Sequence, residues 1–148
     1  MKLAEALLLR ADLQRKIASL NARITPLLII RKGRDPQEDP IKLLAIMRKA
    51  IADLEVIVVK INKTNVITKL NDERTLMEAL ANRDALKSMV EQLRMIRRSA
   101  QLNGHSYDDM RTTVNVKNLQ SEIDQTGRSF RELDSQVQGL NWTTDIIE

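Results

Sequence analysis

Two arginines stand where the spacing of their neighbours predicts apolar side chains. Arg10 and Arg83 each interrupt a run of apolar residues that recur three and four positions apart. A guanidinium inside an apolar stripe carries a large desolvation cost unless it is paired. Either the two side chains reach solvent or pair with carboxylates such as Glu5, Asp12 or Asp84, or they face a cleft and bind an anionic ligand. The planar guanidinium fork suits phosphate and carboxylate groups, so both explanations stay open.

Hydrogen-bonding residues form two further candidate groups. Asn65 and Thr68 end a long apolar run, where they either belong to a helix end or face a ligand. The only tryptophan, Trp142, lies in a polar segment near the end of the sequence. Its indole either fills the end of a helical bundle or stacks on a ring of a ligand. The candidate ligand-binding residues are therefore Arg10, Asn65, Thr68, Arg83, Asn141, Trp142, Thr143 and Thr144.

The sequence carries no pattern that is typical of an enzyme. It has no cysteine, which excludes disulfides, thiolate metal sites and thiol catalysis. It has 4 glycines and no glycine-rich phosphate loop. The only histidine, His105, lies near Asp108 and Asp109, which is a weak pattern for a metal site. We therefore expect a non-catalytic protein with no cofactor and no bound metal.

Composition favours a core of packed helices. Hydrophobic residues make up 43% of the 148 residues, but aromatic residues only 2%, so the core must consist of aliphatic side chains. The net charge is a mild +4, and the basic residues are scattered along the predicted helices, so a nucleic-acid polymer is not an expected partner. We see no signal peptide and no apolar stretch as long as a membrane span. We expect a cytoplasmic protein without a membrane partner.

Four stripes of residues, spaced alternately three and four positions apart, predict four long helices. The first stripe is Leu3, Ala6, Arg10, Leu13, Ile17, Leu20, Ile24 and Leu27. The second is Leu44, Met47, Ile51, Leu54, Val58, Ile61, Asn65 and Thr68. The third is Leu76, Ala79, Arg83, Leu86, Val90, Leu93 and Arg97. The fourth is Val116, Leu119, Ile123, Thr126, Phe130, Leu133, Val137 and Leu140.

Residues with known helix-end preferences separate these stripes. Pro26 should kink or end the first helix. Asp39 before a proline predicts the start of the second helix. Thr75 with Glu78 fits a capping box at the start of the third, and Asn115 can cap the fourth. Residues 99–113 form a long polar connection, and we expect no sheet beyond a short extended piece at residues 111–116.

The expected fold class is all-α, an elongated bundle of about four long helices with coiled-coil-like packing in a single domain, residues 1–148. Helices of about 25 residues span roughly 37 Å, more than a compact domain of this size needs. Apolar residues outside the stripes need cover that one chain does not easily give, so we expect a homo-oligomer. These residues are Leu8, Leu9, Leu28, Ile29, Ile30, Met89 and Ile96.

Five segments resemble the septicolysin-like family, a group of small helical proteins from bacteria and their phages. They are residues 4–14, 61–65, 75–80 and 83–86, and the Asn-Trp-Thr-Thr-Asp ending at 141–145. The resemblance spans nearly the whole chain and implies a helical fold without settled catalytic residues. The family name implies a cytolysin, but this chain departs from a lysin in having no membrane-inserting apolar segment.

Two hypotheses for function follow. In the first, the protein is an oligomer that captures a small anionic ligand, with arginine on a phosphate, Trp142 on a base, and Asn65 and Thr68 on a ribose. By analogy with small phage proteins, it would sequester nucleotide signals of host immunity. In the second, it is a structural or protein-interaction module whose stripe arginines pair internally and whose apolar surface binds a partner helix. A pore-forming cytolysin is the third, weaker alternative.

Overall fold

Four α-helices account for most of the chain. The computed structural model describes residues 1–101 and 110–148. The helices are α1 (Leu3–Ile24), α2 (Pro40–Ile67), α3 (Leu76–Ala100) and α4 (Val116–Thr143), and a 3-10 turn, Thr25–Leu27, follows α1. Within these residues no β-strand occurs. The predicted all-α class with four helices is confirmed. The weak metal candidates His105, Asp108 and Asp109 lie outside the described residues.

The predicted helix ends are present and chemically satisfied. Pro26 lies in the 3-10 turn that ends α1. The side chain of Asp39 accepts hydrogen bonds from the amides of the first turn of α2. Thr75 and Glu78 form the capping box of α3, in which each side chain accepts a hydrogen bond from the backbone N–H of the other. Asn115 accepts a hydrogen bond from the amide three residues later, at the start of α4. Local sequence therefore sets these boundaries.

The chain forms two compact units, residues 1–68 with 141–148, and residues 69–140. In the first unit, α1 packs against α2. Leu20 and Ile24 form a buried cluster with Leu43, so the end of α1 lies beside the start of α2 and the two helices run antiparallel. The prediction of a single domain over residues 1–148 stays a prediction.

The buried stripe of α2 differs from the predicted one at every second position. The predicted residues Met47, Leu54, Ile61 and Thr68 are buried or half-buried. The residues that alternate with them and are buried in the core are Leu43, Ala50, Ile57 and Thr64. The predicted stripe instead contained the residue that follows each of these, namely Leu44, Ile51, Val58 and Asn65. Of these four, Ile51 is exposed. The physical reason is that α2 has apolar residues at both of the neighbouring positions in the first three pairs, so spacing alone does not choose between them.

In the second unit, α3 packs against α4. Val90 and Leu93 of α3 and Ile123 of α4 form a buried cluster, and Leu119 packs against it. Every residue of the predicted third and fourth stripes is buried or half-buried, as is every residue of the first stripe in α1. These three stripes are confirmed, including the three arginine positions within them.

Candidate functional site

Arg83 is bound to carboxylates. Its Nη1 donates to Oδ1 of Asp134 on α4 at 3.2 Å, and its Nη2 lies 3.3 Å from Oδ1 of Asp84. The pair with Asp134 joins α3 to α4 within the second unit. Asp84 was one of the carboxylates expected beside it, but Asp134 was not. The positive charge of Arg83 is thus largely balanced within its own unit.

Arg10 has no comparable partner. It is half-buried on the stripe of α1 that faces α2, and its Nε is buried without a hydrogen bond. The carboxylates expected beside it bind elsewhere, because Glu5 accepts from the amide of Lys2 at 2.7 Å and Asp12 pairs with Arg15. Among the described residues, none forms an ion pair with Arg10. Arg10 and Arg83 therefore have different surroundings.

Residues 1–3 and 143–147 lie side by side, and we call this pairing the terminal clasp. The amide of Leu3 donates to the carbonyl of Thr144 at 2.9 Å. The amide of Ile146 donates to the carbonyl of the first residue at 3.0 Å. These two bonds give an isolated antiparallel bridge outside the helices. The clasp thus ties the polar C-terminal segment to the first turn of α1.

Lys2 adds charge to the terminal clasp. Its Nζ donates to Oδ2 of Asp145 at 2.8 Å and to the carbonyl of Thr143 at 3.1 Å. The hydrogen bond from Lys2 lowers the pKa of the Asp145 carboxyl below its ordinary value, although both side chains are exposed to solvent. The backbone of the predicted site residues Thr143 and Thr144 is therefore used within the fold itself.

Thr64 makes structural hydrogen bonds that its sequence pattern was not used to predict. Its side chain is fully buried. Its Oγ1 accepts a hydrogen bond from the amide of Ile147 at 3.1 Å and donates to the carbonyl of Lys60 at 2.8 Å. The neighbouring candidate Asn65 is half-buried, and Thr68 is the C-cap of α2. The hydroxyl at 64 therefore joins α2 to the terminal clasp, and its seven-residue spacing from Ile57 was the signal available.

Asn141 and Trp142 differ in exposure. Asn141 is buried near the end of α4, whereas the side chain of Trp142 is 61% exposed. The indole does not fill the core of its unit. Of the eight candidate residues, Arg83 lies in the second unit and the others lie in the first. Their common role in ligand binding stays a prediction.

Apolar residues also line the face of α2 opposite its buried stripe, and we call this face the outer stripe. It consists of six exposed apolar residues: Ile41, Ala45, Ala52, Val56, Val59 and Val66. Polar residues interrupt this row. Along α4, which is described throughout, Trp142 is the one large apolar side chain that is exposed. The outer stripe is thus a surface for which the first unit supplies no cover.

No group of three His, Asp or Glu side chains that could hold a metal ion is found in residues 1–101 and 110–148. None of the described helices combines the length and the apolar character that a membrane span requires.

Comparison with known proteins corrects the family expected from the sequence. A crystal structure of a functionally unknown conserved protein from Corynebacterium diphtheriae is similar to this chain, with 27% identity, 99% of each chain covered and a TM-score of 0.93. No curated protein matches. The septicolysin-like resemblance is wrong, because the family model that matches, over residues 10–146, is that of a different family. The chain belongs to the family of unknown function DUF6847.

Proposed function

We propose that the protein is a non-catalytic interaction module that self-associates through the outer stripe of α2. The single observation that supports this most is the exposure of a second apolar row on a helix whose other face is already buried. Large exposed apolar surfaces on soluble chains commonly mark interaction sites. The pairing of Arg83 with carboxylates also favours a module in which one stripe arginine serves the fold. This is the second of the hypotheses from the sequence.

The spacing of the outer stripe matches that of a helix which pairs with a copy of itself. Ala45, Ala52, Val59 and Val66 recur every seven residues, as one core position of a heptad does. The two alanines allow the backbones of paired helices to approach closely. With 28 residues, α2 offers a contact line of about 42 Å. A twofold pair would therefore bury apolar residues along the whole helix.

Charged residues on the same face of α2 as the outer stripe favour an antiparallel arrangement of the two α2 helices. Arg48 and Glu55 are exposed, lie seven residues apart on this face, and form no ion pair with a described residue. In an antiparallel pair each Arg48 comes near Glu55 of the partner subunit, and twofold symmetry repeats this contact. In a parallel pair in register, like charges would face each other. The second copy is therefore the occupant that this surface fits.

Static light scattering tests the proposal at micromolar concentration. The wild type should have a mass well above the 16.9 kDa of one chain. Glu55→Arg should weaken self-association at least ~tenfold, because like charges then meet at two places. The double variant Arg48→Glu with Glu55→Arg should restore it. Glu132→Arg, on the polar face of α4, is the control and should leave the mass unchanged. A monomeric wild type, or a double variant that stays dissociated, would refute the antiparallel pair.

A second candidate is capture of a small anionic, nucleotide-like ligand in the cytoplasm. The specific observation in its favour is the buried, unpartnered Nε of Arg10. Asn65, Thr68 and the exposed Trp142 lie in the same unit and could add hydrogen bonds and a stacking surface. Native mass spectrometry with mono-, di- and cyclic dinucleotides tests it. A bound nucleotide should raise the melting temperature of the wild type but not that of Arg10→Ala. If no nucleotide is retained, this candidate is wrong and self-association is unaffected.

A further inference from the structure

The loop after α1 exposes three consecutive aliphatic side chains. Leu28 is 61% exposed, Ile29 is 91% exposed and Ile30 is 42% exposed. We call residues 28–34 the hairpin tip, because they lie in the connection from α1 to α2. Pro26 ends the preceding helix, so the three side chains are not part of a helical stripe. The exposed row is therefore a feature of the loop and is separate from the outer stripe of α2.

A turn directly after these residues gathers three cations. The amide of Arg34 donates to the carbonyl of Arg31 at 3.2 Å, and Gly33 at the third position has a φ of +80°. This backbone conformation fits a type II turn, in which glycine is favoured at that position. Arg31, Lys32 and Arg34 are all exposed, and none forms an ion pair with a described residue. The hairpin tip thus combines an apolar end with a cluster of unpaired positive charge.

Two of the three neighbouring acids are engaged elsewhere, so the turn keeps an excess of positive charge. Glu38 pairs with Arg23 of α1, whose guanidinium lowers the pKa of that carboxyl. Asp39 uses its carboxylate to cap α2. Asp35 is exposed, and it is the one acid near the turn for which no such partner is found among the described residues. The ion pair of Glu38 with Arg23 also links the residues just before α2 to α1, which restrains the two ends of the hairpin tip.

We infer that the hairpin tip docks on an anionic lipid surface. The aliphatic side chains would enter the boundary between headgroups and acyl chains, and the cations would bind headgroup phosphates. Consecutive side chains leave the backbone at least ~100° apart, so a flat protein surface could cover only part of the row. A hydrocarbon boundary covers side chains in every direction. Lipid therefore fits this surface better than a partner protein does.

The charge of the first unit is consistent with such docking. It carries thirteen Lys and Arg against nine Asp and Glu, and so holds the whole net charge of +4. The sequence expectation of no membrane partner rested on the lack of a spanning segment. Docking at a surface needs only a few apolar side chains and nearby cations. The inference uses none of the outer-stripe residues, so it stands or falls apart from self-association.

Sedimentation of the full chain with lipid vesicles tests the inference. Vesicles of phosphatidylcholine with phosphatidylserine should carry the protein down, and vesicles of phosphatidylcholine alone should carry much less. Ile29→Ser should lower the partition coefficient about tenfold. Arg31→Gln should lower it about fivefold, the contribution of one cation at an anionic surface. Higher salt should weaken the binding of the wild type.

Two matched variants control for position. Met95→Ser removes an exposed apolar side chain of α3 that belongs to neither the hairpin tip nor the outer stripe, and Arg128→Gln removes a cation from the polar face of α4. Both should bind vesicles as the wild type does. Circular dichroism should show that all four variants are folded. Absence of binding to the anionic vesicles would overturn the inference, as would equal loss in the control variants. If Ile29→Ser instead lowers the light-scattering mass without affecting vesicles, the tip contacts protein and the lipid inference is wrong.

Discussion

Replacement of Thr64 by valine isolates the buried hydroxyl that joins α2 to the terminal clasp. The two side chains have nearly the same shape, so Thr64→Val removes the hydrogen bonds and opens little space. The amide of Ile147 loses its acceptor, and the carbonyl of Lys60 loses one of its donors. A buried donor without a partner costs about 1–3 kcal/mol. A loss of ~2 kcal/mol should lower the melting temperature by roughly 4–8 °C in a chain of this size.

Urea unfolding and hydrogen exchange together provide the assay. In Thr64→Val the amide of Ile147 should exchange about tenfold faster or more, because the clasp opens more often. Thr64→Ser is the matched control. It keeps the hydroxyl and loses one methyl group, which costs about 1 kcal/mol. Its overall stability should therefore fall, but the amide of Ile147 should remain protected. A valine variant with wild-type stability and an equally protected amide would show that the hydroxyl does not hold the clasp.

Three further predictions follow from the contacts described above. Arg83→Leu should destabilise the chain by about 1 kcal/mol or more in urea, because it breaks the ion pair between α3 and α4, whereas Arg10→Leu should be neutral or stabilising. Equal losses in the two variants would contradict their different surroundings. Thr75→Ala should cost about 1 kcal/mol through loss of the capping box, and an unchanged urea midpoint would refute that role. The pKa of Asp145 is lower in the folded chain than its ordinary value of 3.8, so the stability it contributes is complete only well above that ordinary value and is lost as the pH falls through the folded value. When the pH is lowered from about 5 to about 3, the free energy of unfolding in urea should therefore fall less for Asp145→Asn than for the wild type. Identical pH profiles of the two proteins would contradict the ion pair.

The helix boundaries and three of the four stripes could be predicted because they depend on short-range chemistry. The side chain of Asp39, the capping box at Thr75 and the amide acceptor at Asn115 act within one helical turn. Similarly, the row predicted from helical spacing in each of α1, α3 and α4 is buried or half-buried along the helix. In such cases the sequence contains enough information to orient the helix.

The orientation of α2 could not be predicted in this way. Its apolar residues occupy the core row, the neighbouring positions and the outer stripe. Which of Leu43 and Leu44, or of Ala50 and Ile51, faces α1 depends on how the two helices fit together. That choice moved the buried polar position from Asn65 to Thr64. The packing of α2 against α1 therefore determined which of two neighbouring residues is buried, a choice that the spacing of apolar residues left open.

The candidate site was only partly predictable for a similar reason. The sequence identified Arg83 as unusual, but its partner Asp134 lies fifty-one positions later on another helix. No local pattern connects the two. The segments that suggested a septicolysin-like family lie largely on helices, and the family model that matches the chain is that of a different family.

The terminal clasp has a consequence for the order in which the protein becomes complete during synthesis. The first unit begins with residues 1–68 but also needs residues 141–148, which leave the ribosome only after the second unit. The antiparallel pair of α1 and α2 can form early, since its contacts are close in sequence. The first turn of α1 and the hydroxyl of Thr64 must wait until the second unit has been made in between. Bond formation between Lys2 and Asp145 also closes a loop of almost the whole chain, which slows this step relative to helix formation. Residues 141–148 therefore complete the unit that residues 1–68 began.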